Sequence, residues 1–427
     1  MSRFLVWVLL VVALLPSMWM AAAAWELPQL GTREEDGTYY NAAMALGEGR
    51  GYRATSVPGE PMLTRFPPGF PALLAPFVQS RMLLSLLLWL LAPCALALVY
   101  FWGRQQRFDS LTAALVCLPL GAFPLFVQGG ANLAPDLLAL VLVLVTVYVM
   151  EQDSWAATLL GALAGAASYL TSDTLLPGLG GVVVYVVLRR RYGQAAVYAV
   201  ALLATALAWR VYVELNAAGT VSPLRDWYAG RPPGFGLEYA AFDVRTGLLV
   251  AVWAAVWRTG SRQQLSALGC FAAAHAVAVQ FSPGHFFLLT LGPALIAGLA
   301  TLPLDRILLG TAYLAGLTAL PAMVGEVQRH RAMYPIRNQA YFWIEGKTPP
   351  AALFLATNGA LLHAATWRRA VSPRDLPDPT GLALDAGIDY LLVMPFDPAA
   401  YRTAVREDPF YETVYEHDGV LIRRRRS

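Results

Sequence analysis

Two carboxylates, one arginine and one histidine stand where the chain could do acid–base and phosphate chemistry: Asp36, Asp136, Arg65 and His285. Asp36 opens the run Asp36-Gly37-Thr38-Tyr39-Tyr40-Asn41, which follows Glu34-Glu35 and leads into Gly47-Glu48-Gly49-Arg50-Gly51-Tyr52. The spacing predicts a short helix capped by Asp36, whose carboxylate accepts the free N–H groups of the first turn. Gly49 and Gly51 are expected to end it. Tyr39, Tyr40 and Ala43 fall three, four and seven residues on, so they share one face with Asp36. The plain reading is an N-cap on an amphipathic surface helix. The chemical reading is a carboxylate able to take a proton, with Tyr39 and Tyr40 beside it as substrate contacts.

The chain next reads Arg65-Phe66-Pro67-Pro68-Gly69-Phe70-Pro71, then Ala72-Leu73-Leu74. The prolines break the segment 67–79, which reads as a re-entrant or interfacial helix rather than a crossing. Arg65 at its edge either snorkels to lipid phosphates or binds the phosphate of one specific lipid substrate. Asp136 follows Pro135 at a predicted helix start, and Asp173 lies in a turn; a cap or an ion pair is the plain reading of each. His275, inside an apolar helix, reads as an interior histidine, and Arg225, Asp226 and Arg231 read as solvated charges. No His/Glu cluster has metal-ligand spacing. The sequence therefore calls for no cofactor and supports no metal site.

These residues need elements to position them. Of 427 residues, 57% are hydrophobic and 14% charged, against about 25% charged in soluble proteins. Disorder, coiled coil and a compact soluble enzyme fit these values poorly. A bilayer-crossing helix needs about 20 apolar residues. Spans are predicted at 4–24, 81–102, 110–128, 132–150, 155–171, 174–188, 194–213, 246–258, 263–281, 284–302 and 305–325. A cleaved leader is the competing reading of the first, but an uncleaved helix suits a polytopic chain better. Cys94, Cys117 and Cys270 lie in apolar stretches and form no disulfide framework. The net charge of +3 is too small to imply nucleic acid.

Arginine placement sets the topology. With the N-terminus and Arg3 in the cytoplasm, the cytoplasmic loops carry Arg104, Arg107, Arg189–Arg191, Arg258, Arg262 and Arg306. The opposite loops near 129–131, 172–173 and 282–284 carry neither Lys nor Arg. Eleven spans then put the C-terminal segment on the outer face, along with loops 25–80 and 214–245. Asp36, Asp136 and Asp173 all fall on that face. Acids gathered at one membrane edge suggest a site. The domains are expected at 1–325, helical and membrane-embedded, and 326–427, a small α/β unit. In the latter, Leu353–Thr357 and Tyr390–Met394 read as strands and 359–370 and 398–407 as helices. A hairpin over 411–424 turns at His417–Gly419. Arg423–Arg426 reads as a solvated tail.

Several stretches carry a resemblance. Asp36 with Tyr39 and Tyr40, the Gly47–Tyr52 turn and Arg65–Leu74 resemble the first loop of GT-C-fold glycosyltransferases. The bacterial branch they resemble is that of protein O-mannosyltransferases and lipid A aminoarabinose transferases. Asn132–Leu138, Gly161–Gly165, Tyr169–Asp173, Phe281–Phe287, Trp343-Ile344, Thr366–Val371 and Ile388–Val393 extend the resemblance along nearly the whole chain. It departs at Ser172-Asp173, where relatives often carry Arg-Pro, and at 281–287, where an Arg is missing and His285 is the basic residue left. The resemblance implies an α-helical polytopic GT-C-like membrane protein of about eleven spans, with a small C-terminal α/β domain on the outer face of a bacterial inner membrane. It also implies Asp36 as catalytic or acceptor-orienting carboxylate, Asp136 at a second acidic position, and Arg65 on the donor phosphate. With the Arg at 281–287 missing, His285 is left as the second candidate for that phosphate.

The chemistry agrees. Sugar transfer from a polyprenyl phosphate needs a base for the acceptor hydroxyl and positive groups for the departing phosphate. The implied partners are a polyprenyl-phosphate sugar donor, a lipid, glycan or protein acceptor, and membrane lipids. A transporter or flippase of lipid-linked glycans is the alternative, although no internal repeat between the halves supports it. A non-catalytic scaffold of the same fold is the third reading.

Overall fold

The computed structural model describes residues 3–25, 27, 29–31, 35–216, 270–271, 313–372 and 387–426. The spans expected at 246–258, 263–281 and 284–302 lie essentially outside the described residues, as does His285. Helix α1 (Arg3–Ala23) shows how the helical part is built. It buries Ala13, Pro16 and Met20, whereas Phe4, Trp7, Val11, Leu15 and Met18 face outward. Their three- and four-residue spacing makes one continuous apolar stripe. A stripe of that kind suits lipid contact, since no water-facing surface is made this way.

Twelve further helices are described. They are α2 (Asp36–Gly47), α3 (Gly69–Leu74), α4 (Arg81–Gln105), α5 (Ser110–Gly121), α6 (Pro124–Gly129), α7 (Asp136–Met150), α8 (Trp155–Thr171), α9 (Leu176–Leu188), α10 (Tyr192–Asn216), α11 (Leu320–Lys347) and, in the C-terminal domain, others given below. By length and composition, α1, α4 and α10 can each cross a membrane; α5, α7 and α8 are apolar but shorter. The single span expected at 110–128 is two helices. Phe123 is extended (φ −73°, ψ 135°) ahead of Pro124, because a residue before proline is pushed out of the helical region. The proline-rich segment 67–79 forms only the six-residue α3, far too short to cross.

Helix α11 runs through residue 326 without a break. Its first turn, Leu320 and Met323, packs with Met20, Ala24 and Val127 of the helical part. Its last turns, Ala340, Tyr341 and Ile344, pack on the C-terminal sheet. One helix thus belongs to both cores.

The C-terminal domain contains β1 (Leu353–Ala356), α12 (Gly359–Thr366), β2 (Arg369–Val371), β3 (Tyr390–Val393), α13 (Ala399–Glu407), β4 (Tyr411–His417) and β5 (Val420–Arg425). The strand order is β2-β1-β3-β5-β4. The first three are parallel and the last pairs antiparallel. Asp418 (φ 48°) and Gly419 (φ 78°) make the tight turn between β4 and β5, the backbone that Asp-Gly favours. The helix expected over 359–370 stops at Thr366, where Trp367 turns left-handed (φ 57°), and β2 follows. Arg423 is no solvated tail residue. It is 7% exposed, and its guanidinium donates to the Val405 and Arg406 carbonyls at 2.6 and 3.0 Å and to that of Tyr411. It closes the open carbonyl end of α13.

Candidate active site

Helix α2 lies between the proline-rich turn 65–71 and the C-terminal domain. On one side, Tyr39 packs against Phe66 and Phe70, with ring centroids 4.9 and 5.3 Å away. On the other, α2 meets α12 at very short range: a Cβ on Gly37 would stand 2.5 Å from the Leu361 nitrogen. Asn41 donates from Nδ2 to the Ala360 carbonyl at 2.8 Å. Two more ties join the same pieces. The Ala370 N–H donates to Ser56 O at 2.8 Å, and Arg369 approaches Glu60 at 3.7 Å. Asn41→Ala should cost about 1–3 kcal/mol by stranding the Ala360 carbonyl; thermal unfolding of the detergent-solubilised protein measures it.

Asp36 does not cap α2. Glu35 holds the N-cap position, with no side-chain cap bond, and Asp36 is the first helical residue. Its carboxylate turns backward, and Oδ2 accepts the Gly31 N–H at 2.5 Å. The residue is fully buried. Gly31 cannot be reached by local sequence logic, because its left-handed backbone (φ 85°) is held from the other end of the chain. Arg337 of α11, 4% exposed, donates to the Leu30 and Gly31 carbonyls at 3.3 and 3.4 Å.

Asp136 is the first residue of α7, after Pro135, which holds the N-cap position. It is half-buried. Together with Glu35 and Asp173 it acts electrostatically on Tyr39. Burial first, then those three carboxylates and Tyr52, hold the Tyr39 phenol well above its ordinary range. Tyr39 therefore keeps its proton and remains a hydrogen-bond donor amid acids. Asp173, in the short turn 173–175, is itself raised above the usual carboxylate range. Crowding by protein is the main cause; its own and the Thr174 backbone N–H, and Arg210, oppose it. The side chain still reaches solvent, so this shift is modest in its consequences.

Arg65 is exposed, with its guanidinium 5.1 Å from the Phe66 ring centroid. Phe66 in turn packs on Tyr39, so the cation sits one aromatic ring from the acidic group. Tyr52 fastens this return turn, donating from its hydroxyl to Phe66 O at 2.8 Å. Its ring lies against Trp209 of α10. Tyr40 sits apart from Tyr39, and its hydroxyl donates to Val78 O at 3.4 Å. Glu35, Asp136 and Asp173 thus lie near enough to Tyr39 to act on it through their charge, and Arg65 lies alongside through Phe66. Asp36 is tied to Gly31. Glu35 was legible only as one acid in the Glu34–Asp36 run. Among the described residues no group of three or more His, Cys, Asp or Glu is placed to hold a metal.

No family model and no curated protein sequence matches the chain. Solved structures do. ArnT from Cupriavidus metallidurans bound to undecaprenyl phosphate aligns with a TM-score of 0.61 at 14% identity, over 95% of this chain and 96% of that one. Its apo state aligns at 0.59 and 15%, over 91% and 92%. The Archaeoglobus fulgidus oligosaccharyltransferase, also apo, gives 0.60 and 11%, over 96% and 73%. The chain has the GT-C fold. The likeness extends over 95% of this chain, the helices and the α/β domain alike. At these identities it is a likeness of fold, and the chemistry rests on the side chains.

Proposed function

We propose that the protein is an integral membrane glycosyltransferase that moves a sugar from a polyprenyl-phosphate donor to an envelope lipid, glycan or protein. Transfer takes place on the outer face of a bacterial inner membrane, with the N-terminus cytoplasmic and the C-terminal domain outside. The observation that carries the reading is the fold shared end to end with an ArnT bound to undecaprenyl phosphate, joined to carboxylates and an arginine around one loop.

In this reading Asp36 takes the proton of the acceptor hydroxyl while the acceptor oxygen attacks the anomeric carbon. The bond from that carbon to the phosphate oxygen breaks, its electron pair leaves with the phosphate, and the anomeric centre inverts. Arg65 receives the negative charge that grows on the phosphate, and His285 assists it. Asp136 is the second acid of the site, and Tyr39 and Tyr40 contact substrate. Because Asp36 is fully buried in the arrangement described, the acceptor reaches it only after the residues that cover it move aside.

Undecaprenyl phosphate itself is the probe for the donor half. The purified full-length protein should bind it, and Arg65→Ala should weaken binding about tenfold, the loss of one hydrogen bond to a charged group. Tryptophan fluorescence or calorimetry in detergent reads the affinity. Wild-type protein that does not bind undecaprenyl phosphate would rule out the donor class.

A further inference from the structure

The strongest unexplained feature outside the acidic group is a buried cation with nothing obvious to do. Arg337 lies in the middle of α11, 4% exposed. Burying a guanidinium is costly unless its donors are met. Arg337 places its two terminal nitrogens on two consecutive peptide oxygens, Leu30 at 3.3 Å and Gly31 at 3.4 Å. Its Nε finds no partner among the described residues. Within α11 its guanidinium also lies 5.7 Å from the Tyr334 ring centroid, but both of its hydrogen bonds leave the helix.

The contacts continue in one direction. The peptide unit whose carbonyl belongs to Leu30 is the same one whose N–H, on Gly31, donates to Asp36 Oδ2 at 2.5 Å. A guanidinium on the oxygen of an amide polarises it and strengthens the hydrogen bond that its N–H donates. The arrangement also fixes where that N–H points. The backbone at Gly31 (φ 85°) favours glycine, and a Cβ there would meet the Arg337 guanidinium and push it from its present place. Close to the same guanidinium, a cavity of about 40 Å³ is lined by Gly31, Arg337, Tyr341, Asn358 and Asp397. Tyr341 senses Arg337, Asp397 and Asp36 electrostatically. The C-terminal domain therefore reaches Asp36 through one arginine and one peptide.

We propose that Arg337 is a positioning residue for Asp36, orienting the carboxylate through the Leu30–Gly31 peptide and so making transfer depend on the docked C-terminal domain. The inference rests on the reading of Asp36 as the reacting carboxylate. It assigns a task to a residue 301 positions away in sequence, with no contact to substrate required.

The test uses the full-length chain. Envelope glycans of a host carrying each variant are compared by mass spectrometry at matched protein levels. Undecaprenyl phosphate binding and thermal unfolding are measured on the purified protein. Arg337→Ala should lower the protein-dependent product about tenfold to a hundredfold, the penalty of a misplaced reacting group. Its undecaprenyl phosphate affinity should stay within about twofold of wild type, because Arg337 touches no donor site. Arg337→Lys should recover part of the product, since an ammonium keeps the charge but cannot span both carbonyls as a fork. If Arg337→Ala does not fold, Arg337→Lys carries the same comparison. Product and affinity falling together, or wild-type product from Arg337→Ala, would overturn the proposal. Asp36→Asn separates the two readings. Undiminished product with Asp36→Asn removes the catalytic reading itself. An inactive Asp36→Asn beside a fully active Arg337→Ala removes only the positioning role.

Discussion

Asp36→Asn should lower sugar transfer by about 10²- to 10⁴-fold, the usual worth of a positioned acid–base group. The substitution keeps shape and size and removes the ability to take a proton. It also keeps the local structure, because an amide oxygen can still accept the Gly31 N–H that Oδ2 now accepts at 2.5 Å. Asp36→Ala is the poorer experiment. It leaves that buried N–H without a partner, at about 1–3 kcal/mol, and mixes a folding defect with a chemical one. The measurement is the amount of protein-dependent envelope glycan by mass spectrometry, with protein level and thermal midpoint matched. A glycan that persists unchanged at normal protein level would count decisively against Asp36 as the base. Asp136→Asn is informative beside it. Asp136 acts on Tyr39, so its loss tests the acidic group separately from the carboxylate held at Gly31.

What the sequence made legible was local. The span read at 155–171 is α8 (Trp155–Thr171), which begins where the apolar run begins. The Asp418-Gly419 turn fixes the last hairpin by its own backbone preference. The proline run 67–71 foretold a short, non-crossing α3. Misreadings arose where a distant partner decides. Asp36 has the composition of a cap, yet its carboxylate is taken by Gly31, which Arg337 holds across 306 residues. Arg423 sits in a four-arginine run that reads as a tail, but three carbonyls from α13 and β4 bury it. The helix at 359 stops early because Trp367 adopts a left-handed backbone, a conformation that its residue type does not advertise. For the candidate site the same division holds. Residue types and the loop that carries them were visible, including Asp36, Asp136, Arg65 and Tyr39. Which carboxylates share a neighbourhood was not, because that is set by α2 packing between α3 and α12.

That packing makes the fold a condition of the chemistry. The C-terminal domain holds loop 25–80 through Asn41, Ser56 and Glu60, and α11 carries its core into the helical part. Side chains proposed to act on one substrate are thus supplied by separate stretches, 35–66 and 136–173, and the residue proposed to position one of them, Arg337, by a third. None of these stretches could hold its geometry alone.

Gly69→Ala should damage the site from the membrane side and leave its titratable residues intact. Gly69 begins α3, and a Cβ there would lie 2.7 Å from the Leu170 carbonyl carbon and oxygen and 2.9 Å from the Thr171 nitrogen. These are backbone atoms at the end of α8, so they cannot swing aside as a flexible side chain would. Either the return turn or the end of α8 must shift, at about 1–3 kcal/mol for overpacking of this kind. Both alternatives disturb the site. The turn carries Arg65, Phe66 and Phe70, and the end of α8 leads directly into Asp173. A shift of about 1 Å in either can cost about a hundredfold in transfer. Undecaprenyl phosphate affinity should fall as well, since Arg65 moves with the turn; that loss distinguishes Gly69→Ala from Arg337→Ala, for which affinity holds. The paired measurements are binding of undecaprenyl phosphate to the purified protein and envelope glycan in the host. A Gly69→Ala protein with wild-type affinity and wild-type product would mean that the contact between α3 and α8 does not set the position of Arg65.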